Sequence, residues 1–298
     1  MTSNFTSAIE LRHIGSLYMF YVGIFNIVLG LTGNSAIILV FKTLNMFSHN
    51  QSAFYLIVES ISNIGLLLAI YMSIILTFTI RFDLVLASVT WCKIRIMLSQ
   101  ACGLCSVYTV SFSGLDQYLA TNLRASYRQK SNMKLAHRLT SFNIVFATLH
   151  SITFLVYFDI QSTMGCTVYN PIIKQYYTFF YYPFLIGFLP MFLTITFSTL
   201  AFYNVRHLVR LRVPVIRRRL EHQMTAIVLS RILFLTICGV PFLVATLTKL
   251  NVNNHPDNYI TLAVVNIFTS VCYTLLYTNF SVYSQRLESF FSTIRFYF

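Results

Sequence analysis

Seven long apolar runs dominate the chain, at 17–41, 52–80, 91–121, 138–158, 175–205, 223–250 and 259–284. A bilayer's hydrocarbon core is about 30 Å thick and a helix rises about 1.5 Å per residue, so roughly 20 apolar residues cross it. Inside hydrocarbon every backbone N–H and C=O must be satisfied within the segment, which leaves helices or closed barrels. Runs this long and this solidly apolar do not read as the short alternating strands of a barrel. Composition agrees: 56% of residues are hydrophobic and only 10% charged, against about 45–50% and about 25% in soluble domains. The expectation is an all-α membrane protein, a seven-transmembrane helix bundle that forms a single domain over 1–298. No second domain, internal repeat or low-complexity stretch stands out.

Orientation follows from the cations, because Lys and Arg concentrate on the cytoplasmic side. Of 21 Lys and Arg, fourteen fall on the side that carries the loops 124–134 and 206–222, six fall on the other, and Arg231 lies within the sixth run. This places the amino terminus outside and the carboxyl terminus in the cytosol, in agreement with an odd number of spans. The net charge of +13 is then a matter of topology and of contact with membrane lipids, and nucleic acid is not an expected partner. No cleavable signal peptide is evident, since the first run is long enough to span and no basic segment precedes it. Asn4-Phe5-Thr6 is an N-glycosylation acceptor on the outer side.

Six cysteines are present. Cys102, Cys105, Cys238 and Cys272 lie within the runs and read as small buried residues. Cys92 and Cys166 are the one pair on the outer, oxidising side, so a Cys92–Cys166 disulfide is expected. The seven histidines are scattered, and neither they nor the cysteines show the spacing of a metal site. No nucleophile, base and orienting residue cluster as an enzyme would need.

Several short motifs, in order, resemble the rhodopsin-like G-protein-coupled receptors. The first run has Gly33-Asn34-Ser35, like the family's Gly-Asn. The third ends in Asp116-Gln117-Tyr118, like its Asp-Arg-Tyr, with Cys92 standing 25 positions before Gln117. The fifth has Pro190. The sixth has Cys238-Gly239-Val240-Pro241, like Cys-Trp-x-Pro, and the seventh ends Asn279-Phe280-Ser281-Val282-Tyr283, like Asn-Pro-x-x-Tyr. The resemblance covers the whole chain and implies a plasma-membrane receptor that binds an extracellular ligand and signals through a heterotrimeric G protein. It also implies a short amphipathic helix after the seventh span, at 285–298. The departures are substantial. Gln117 replaces the motif Arg, Gly239 the sixth-helix Trp, Phe280 the seventh-helix Pro, and Asn63 the second-helix Asp that helps the family hold sodium.

The resemblance also narrows the ligand. Amine receptors carry an Asp where this chain has Ser99, and light receptors a Schiff-base Lys where it has Tyr273. An amine ligand and a retinal cofactor are therefore not expected. By the family's register Ser99, Gln100, Gly103, Tyr182, Phe242 and Tyr273 line an aromatic, uncharged pocket for a neutral or amphipathic molecule or a peptide end. The plainer reading makes them ordinary bundle residues. Arg124, Arg217, Arg218 and Arg219 are candidate G-protein contacts, although juxtamembrane cations also fix topology and touch anionic lipid. Glu59 and Arg231 are charged where the family has apolar residues. At about 10 and about 12 Å from the cytosolic ends of their helices, they are expected to pair, since ionisable groups in a membrane face the interior. The rival reading has Arg231 reaching the cytosolic surface. Two other function classes stay open: a receptor-shaped binding or decoy protein that does not couple, and a transporter or channel.

Overall fold

A computed structural model describes residues 2–43, 50–80, 83–161, 165–208, 237–248, 260–261, 263–272 and 274–275. The described elements are α1 (Thr2–Thr43), α2 (Gln51–Ile80), α3 (Leu84–Ala87), α4 (Val89–Thr121), α5 (Ala125–Arg128), α6 (Met133–Tyr157), β1 (Phe158–Gln161), β2 (Gly165–Val168), α7 (Pro171–Tyr176), a π-helical segment (Tyr177–Phe188) and α8 (Leu189–Leu208). Two shorter apolar helices follow, α9 (Ile237–Thr248) and α10 (Ala263–Cys272).

Five helical stretches are long and apolar enough to cross a membrane: His13–Thr43, Gln51–Thr79, Val89–Thr121, Met133–Tyr157 and Pro171–Val205. They mark the chain as a membrane-embedded, multi-pass protein. These stretches coincide with the first five runs in the sequence. α9 and α10 fall inside the sixth and seventh runs, whose remaining residues, like the segment 285–298, lie largely or wholly outside the described ones. Large apolar side chains such as Leu39, Phe142, Leu149 and Phe179 project outward, Phe179 being 76% exposed. Lipid is as apolar as a protein core, so such an outer surface has no cost in a bilayer.

The helix ends are written into the sequence. Ser88 caps α4 by accepting from the Trp91 N–H at 3.3 Å. Asn132 caps α6 through the Leu135 N–H at 2.9 Å, and Asn170, followed by Pro171 in the first turn, caps α7. These side chains satisfy amides that a helix start leaves without partners. α4 is the hub: it packs against α2, α6 and α8, while α1 packs against α2. It is also the least apolar of the five spans, because an enclosed helix can carry polar groups toward its neighbours. Glycine permits one close approach, since a Cβ at Gly65 of α2 would come within 2.7 Å of the Cys102 Sγ on α4.

The helical expectation needs one addition. The loop after α6 folds as an antiparallel hairpin, with Phe158 opposite Val168 and Ile160 opposite Cys166. Gly165 opens β2 with φ of 69°, a left-handed conformation that suits glycine. A Cys92–Cys166 disulfide, with Cα atoms 5.8 Å apart, ties this hairpin to the start of α4. Mapping of unreduced peptides should recover these two cysteines as one linked pair. Since they stand 74 positions apart, Cys166→Ser should lower stability by about 2–4 kcal/mol, the usual range for a bridge across a long loop, as read by thermal unfolding in lipid.

Candidate functional site

Polar side chains converge in the middle of the bundle. Asn34 on α1, Glu59 and Asn63 on α2 and Ser106 on α4 are all buried, Ser106 completely. The Ser106 hydroxyl donates to Asn63 Oδ1 at 2.7 Å. The Asn63 amide faces Asn34 Oδ1 at 3.4 Å and Glu59 Oε1 at 3.5 Å, while the Asn34 amide donates to the Gly30 carbonyl at 2.7 Å. Asn63 therefore joins three helices. A buried amide without partners costs several kcal/mol in hydrocarbon, so this network fixes how the helices sit against each other. Glu59 and Asn63 share a face because they are four residues apart on one helix. The Arg231 end of the expected ion pair lies outside the described residues.

The expected third-helix motif sits at the far end of α4 from the disulfide. Asp116 is buried and accepts from the Ser131 hydroxyl at 2.8 Å, which ties it to the loop before α6. Gln117 is buried as well, and its Oε1 meets no hydrogen-bond donor among the described residues. Tyr118 stacks on Phe197 of α8, with ring centroids 6.1 Å apart. The Pro190 carbonyl accepts from Ser111 of α4 at 3.2 Å and from Thr194 of its own helix at 2.6 Å, so the Ser111 hydroxyl joins α4 to α8. Arg124 is exposed just before α5, and Pro241 is exposed on α9. Asn4 lies in the first turns of α1. Arg217, Arg218, Arg219, Asn279 and Tyr283 lie outside the described residues.

At the disulfide end, two of the six expected pocket residues meet. Gln100 accepts from the Tyr181 hydroxyl at 2.8 Å and donates to that of Tyr182 at 3.4 Å. Two successive tyrosines reach one side chain because they stand in the π-helical segment, which also contains Pro183. A proline interrupts α-helical bonding, and a wider turn accommodates it. Behind Tyr181 the ring of His150 stacks at 4.8 Å, and its Nε2 lies 2.8 Å from the Tyr176 hydroxyl. Tyr181 is fully buried, so this cluster is a packed wall. Tyr181, Tyr176, His150 and Ser106 were not among the expected residues. The Tyr-rich stretch 176–182 before Pro183 is a sequence signal for the two tyrosines. Of the other pocket candidates, Ser99 donates to its own helix at Ile96. Gly103 faces Leu66 of α2, Phe242 packs among Leu66, Leu67, Tyr71 and Cys272, and Tyr273 lies outside the described residues.

A cavity of about 410 Å³ opens instead between α1, α2, α10 and the start of α4. Met19, Ile74, Phe78 and Ile267 give it apolar walls. Ser16, Ser73, Thr77, Ser270 and Asn266 give it polar ones, and Asp83 and Arg95 bring two opposite charges. The volume falls in the range of small-molecule sites, about 300–1,000 Å³. None of the five expected pocket residues that are described lines it. Among the described residues no group of His, Cys, Asp and Glu is arranged to hold a metal ion.

Compared with known proteins, the chain matches no family model and no curated protein.

The network yields a stability prediction. Ser106→Ala removes the hydroxyl that satisfies Asn63. Side-chain hydrogen bonds between membrane helices average about 0.6 and reach about 1.7 kcal/mol. Thermal unfolding should show a loss at the upper end of that range, because the change orphans Asn63 Oδ1 in a dry interior. Ser99→Ala, whose hydroxyl serves only its own helix, should be near neutral.

Proposed function

We propose that the chain is a rhodopsin-like G-protein-coupled receptor of the plasma membrane. In this reading it has seven spans, its amino terminus is outside, and a ligand entering from the outside signals to a heterotrimeric G protein. The observation that carries the reading is the convergence of Asn34, Asn63 and Ser106. Residues 29 and 43 positions apart in sequence meet in one hydrogen-bonded set, and two of them, Asn34 and Asn63, are positions at which the chain is compared with the family's motifs. The tethered hairpin supports it, since a Cys92–Cys166 bond places a loop beside the start of α4. So does the cavity, which gives a ligand somewhere to bind at the same end as the disulfide. In the family the motif Arg pairs with its neighbouring Asp; here the Ser131 hydroxyl bonds Asp116 instead and ties this end of α4 to the loop before α6.

One observation favours a second reading, a receptor-shaped binding protein that does not couple. Gln117 brings no charge, and its Oε1 meets no donor among the described residues. G-protein recruitment in cells, at measured surface expression and across a ligand library, separates the two. Recruitment by any ligand supports the receptor reading, and binding without recruitment supports the second.

Gln117→Arg should raise G-protein coupling or change basal signalling, because it restores a cation beside Asp116. Unchanged signalling at equal surface expression would count against the receptor reading. Glu59→Leu, Arg231→Val and the double variant should give non-additive effects on basal signalling if the two charges are coupled. Simple additivity would separate them.

A further inference from the structure

We infer that Ser131, in the segment between α5 and α6, is a phosphorylation site for a protein kinase that selects basic peptides, and that the phosphate releases Asp116 from this segment. The inference rests on the receptor reading only for orientation, which places the segment in the cytosol with ATP. Two independent observations meet at Ser131. The first is charge. Arg128 and Lys130 stand three and one positions before it, Lys134 stands three after it, and no Asp or Glu occurs between Asp116 and Asp159. Arg128, Lys130 and Lys134 are all exposed. Kinases discriminate among substrates by charge pattern, and an acidic peptide groove would meet cations on both sides of this hydroxyl. The second is what the hydroxyl does. It donates to Asp116 Oδ1 at 2.8 Å, and Asp116 is only 4% exposed.

The segment can present itself to an enzyme. α5 has four residues and none of them is buried, and the Ser131 N–H belongs to a short turn, donating to the Arg128 carbonyl at 3.2 Å. Segments with few buried contacts open locally at little cost. In the transfer the Ser131 oxygen attacks the γ-phosphorus of ATP. An oxygen–phosphorus bond forms, the bond from that phosphorus to the bridging oxygen breaks, ADP leaves with the electron pair, and the hydroxyl proton passes to the kinase's base. Ser131 then has no hydrogen to give Asp116. It carries instead a phosphate of about −1.5 to −2 charge, which a buried carboxylate at hydrogen-bond distance repels. A better place lies beside it, at Lys134 and the first turn of α6, where Asn132 is the cap and a helix start favours negative charge. The same bond makes the site conditional, because Asp116 withholds the hydroxyl while the segment is docked.

The test uses the full chain in lipid nanodiscs, which leave both faces open, with magnesium and ATP. The probes are two basic-peptide kinases, the catalytic subunit of cyclic-AMP-dependent protein kinase and the catalytic domain of protein kinase C, each checked on a basic reporter peptide. Phosphopeptide mapping of the unmodified chain should place phosphate on Ser131, and Ser131→Ala should remove it. Arg128→Gln should slow transfer about tenfold or more, the scale of one lost charge-assisted contact. Asp116→Asn should speed it severalfold, because a neutral acceptor holds the hydroxyl less strongly. Phosphorylation should lower the thermal unfolding midpoint of the unmodified chain, and Asp116→Asn should remove most of that loss. Mapping and midpoint both use the unmodified chain, so they decide even where a variant fails to fold. Phosphate on the exposed Ser126 but not on Ser131, or on neither, overturns the site. An unchanged midpoint, or a rate indifferent to Asp116→Asn, overturns the coupling to Asp116. Phosphate on Ser131 in a chain that recruits no G protein with any ligand would leave the site standing and remove the signalling reading. Recruitment by a chain that neither kinase modifies at Ser131 would do the reverse. An amino-terminal epitope that antibody reaches only in permeabilised cells would put Ser131 outside, away from ATP, and overturn both.

Discussion

Hydrocarbon offers a polar group no hydrogen-bond partner, and most of this architecture answers to that fact. Backbone amides are satisfied by coiling into helices, but side chains must find partners of their own. Many serines and threonines use the carbonyl one turn back, as Thr77 does with Ser73 and Thr109 with Cys105. A few polar side chains also join helices: Ser106 to Asn63, Ser111 to Thr194, and Asn143 to Cys105 and Thr109. Apolar packing alone distinguishes poorly between one face and another in lipid. These few polar contacts therefore set which helix meets which, with α4 at the centre.

Specialised parts attach to that frame at the disulfide end. The hairpin is held by its ladder and by Cys92. The indole of Trp91 reaches across to Ser73 of α2. The aromatic wall of His150, Phe154, Tyr177 and Tyr181 closes the side toward α6, with Phe154 and Tyr177 stacked at 4.4 Å. With that side filled by rings, the open volume lies on the opposite side, against α1 and α10. The division explains why the described residues of a pocket deduced by register do not line the cavity.

The first five spans were legible in the sequence because length and apolarity are all that crossing a bilayer demands. The disulfide was legible because topology left a single outer pair. Register grouped Gln100 with Tyr182 as pocket-lining residues, and the structure brings the two into contact within a packed wall. What could not be read depends on rotation about helix axes. Neither the hydrophobic pattern nor residue type says that Ser106 turns toward Asn63 while Ser99 bonds to its own backbone. The cavity was missed because Asp83 and Arg95 come from a loop and a helix start, and proximity in space brings them together rather than any sequence spacing. The π-helical segment leaves only Pro183 as its trace, and a proline alone does not say whether a helix kinks or widens.

That widened segment has a consequence for phasing. α8 meets α4 through the Thr194–Ser111 contact and through the place where Gly114 leaves room for Ser198. Both lie downstream of Tyr177–Phe188, so the winding of those residues sets the direction in which α8 presents its side chains. Loss of one residue there would rotate everything after it by about 100°, the angular step of one residue in a helix of 3.6 per turn. Thr194 and Ser198 would then turn away from α4. The number of residues in this stretch is thus held more strictly than their identities, and an indel here would act as a frameshift in three dimensions.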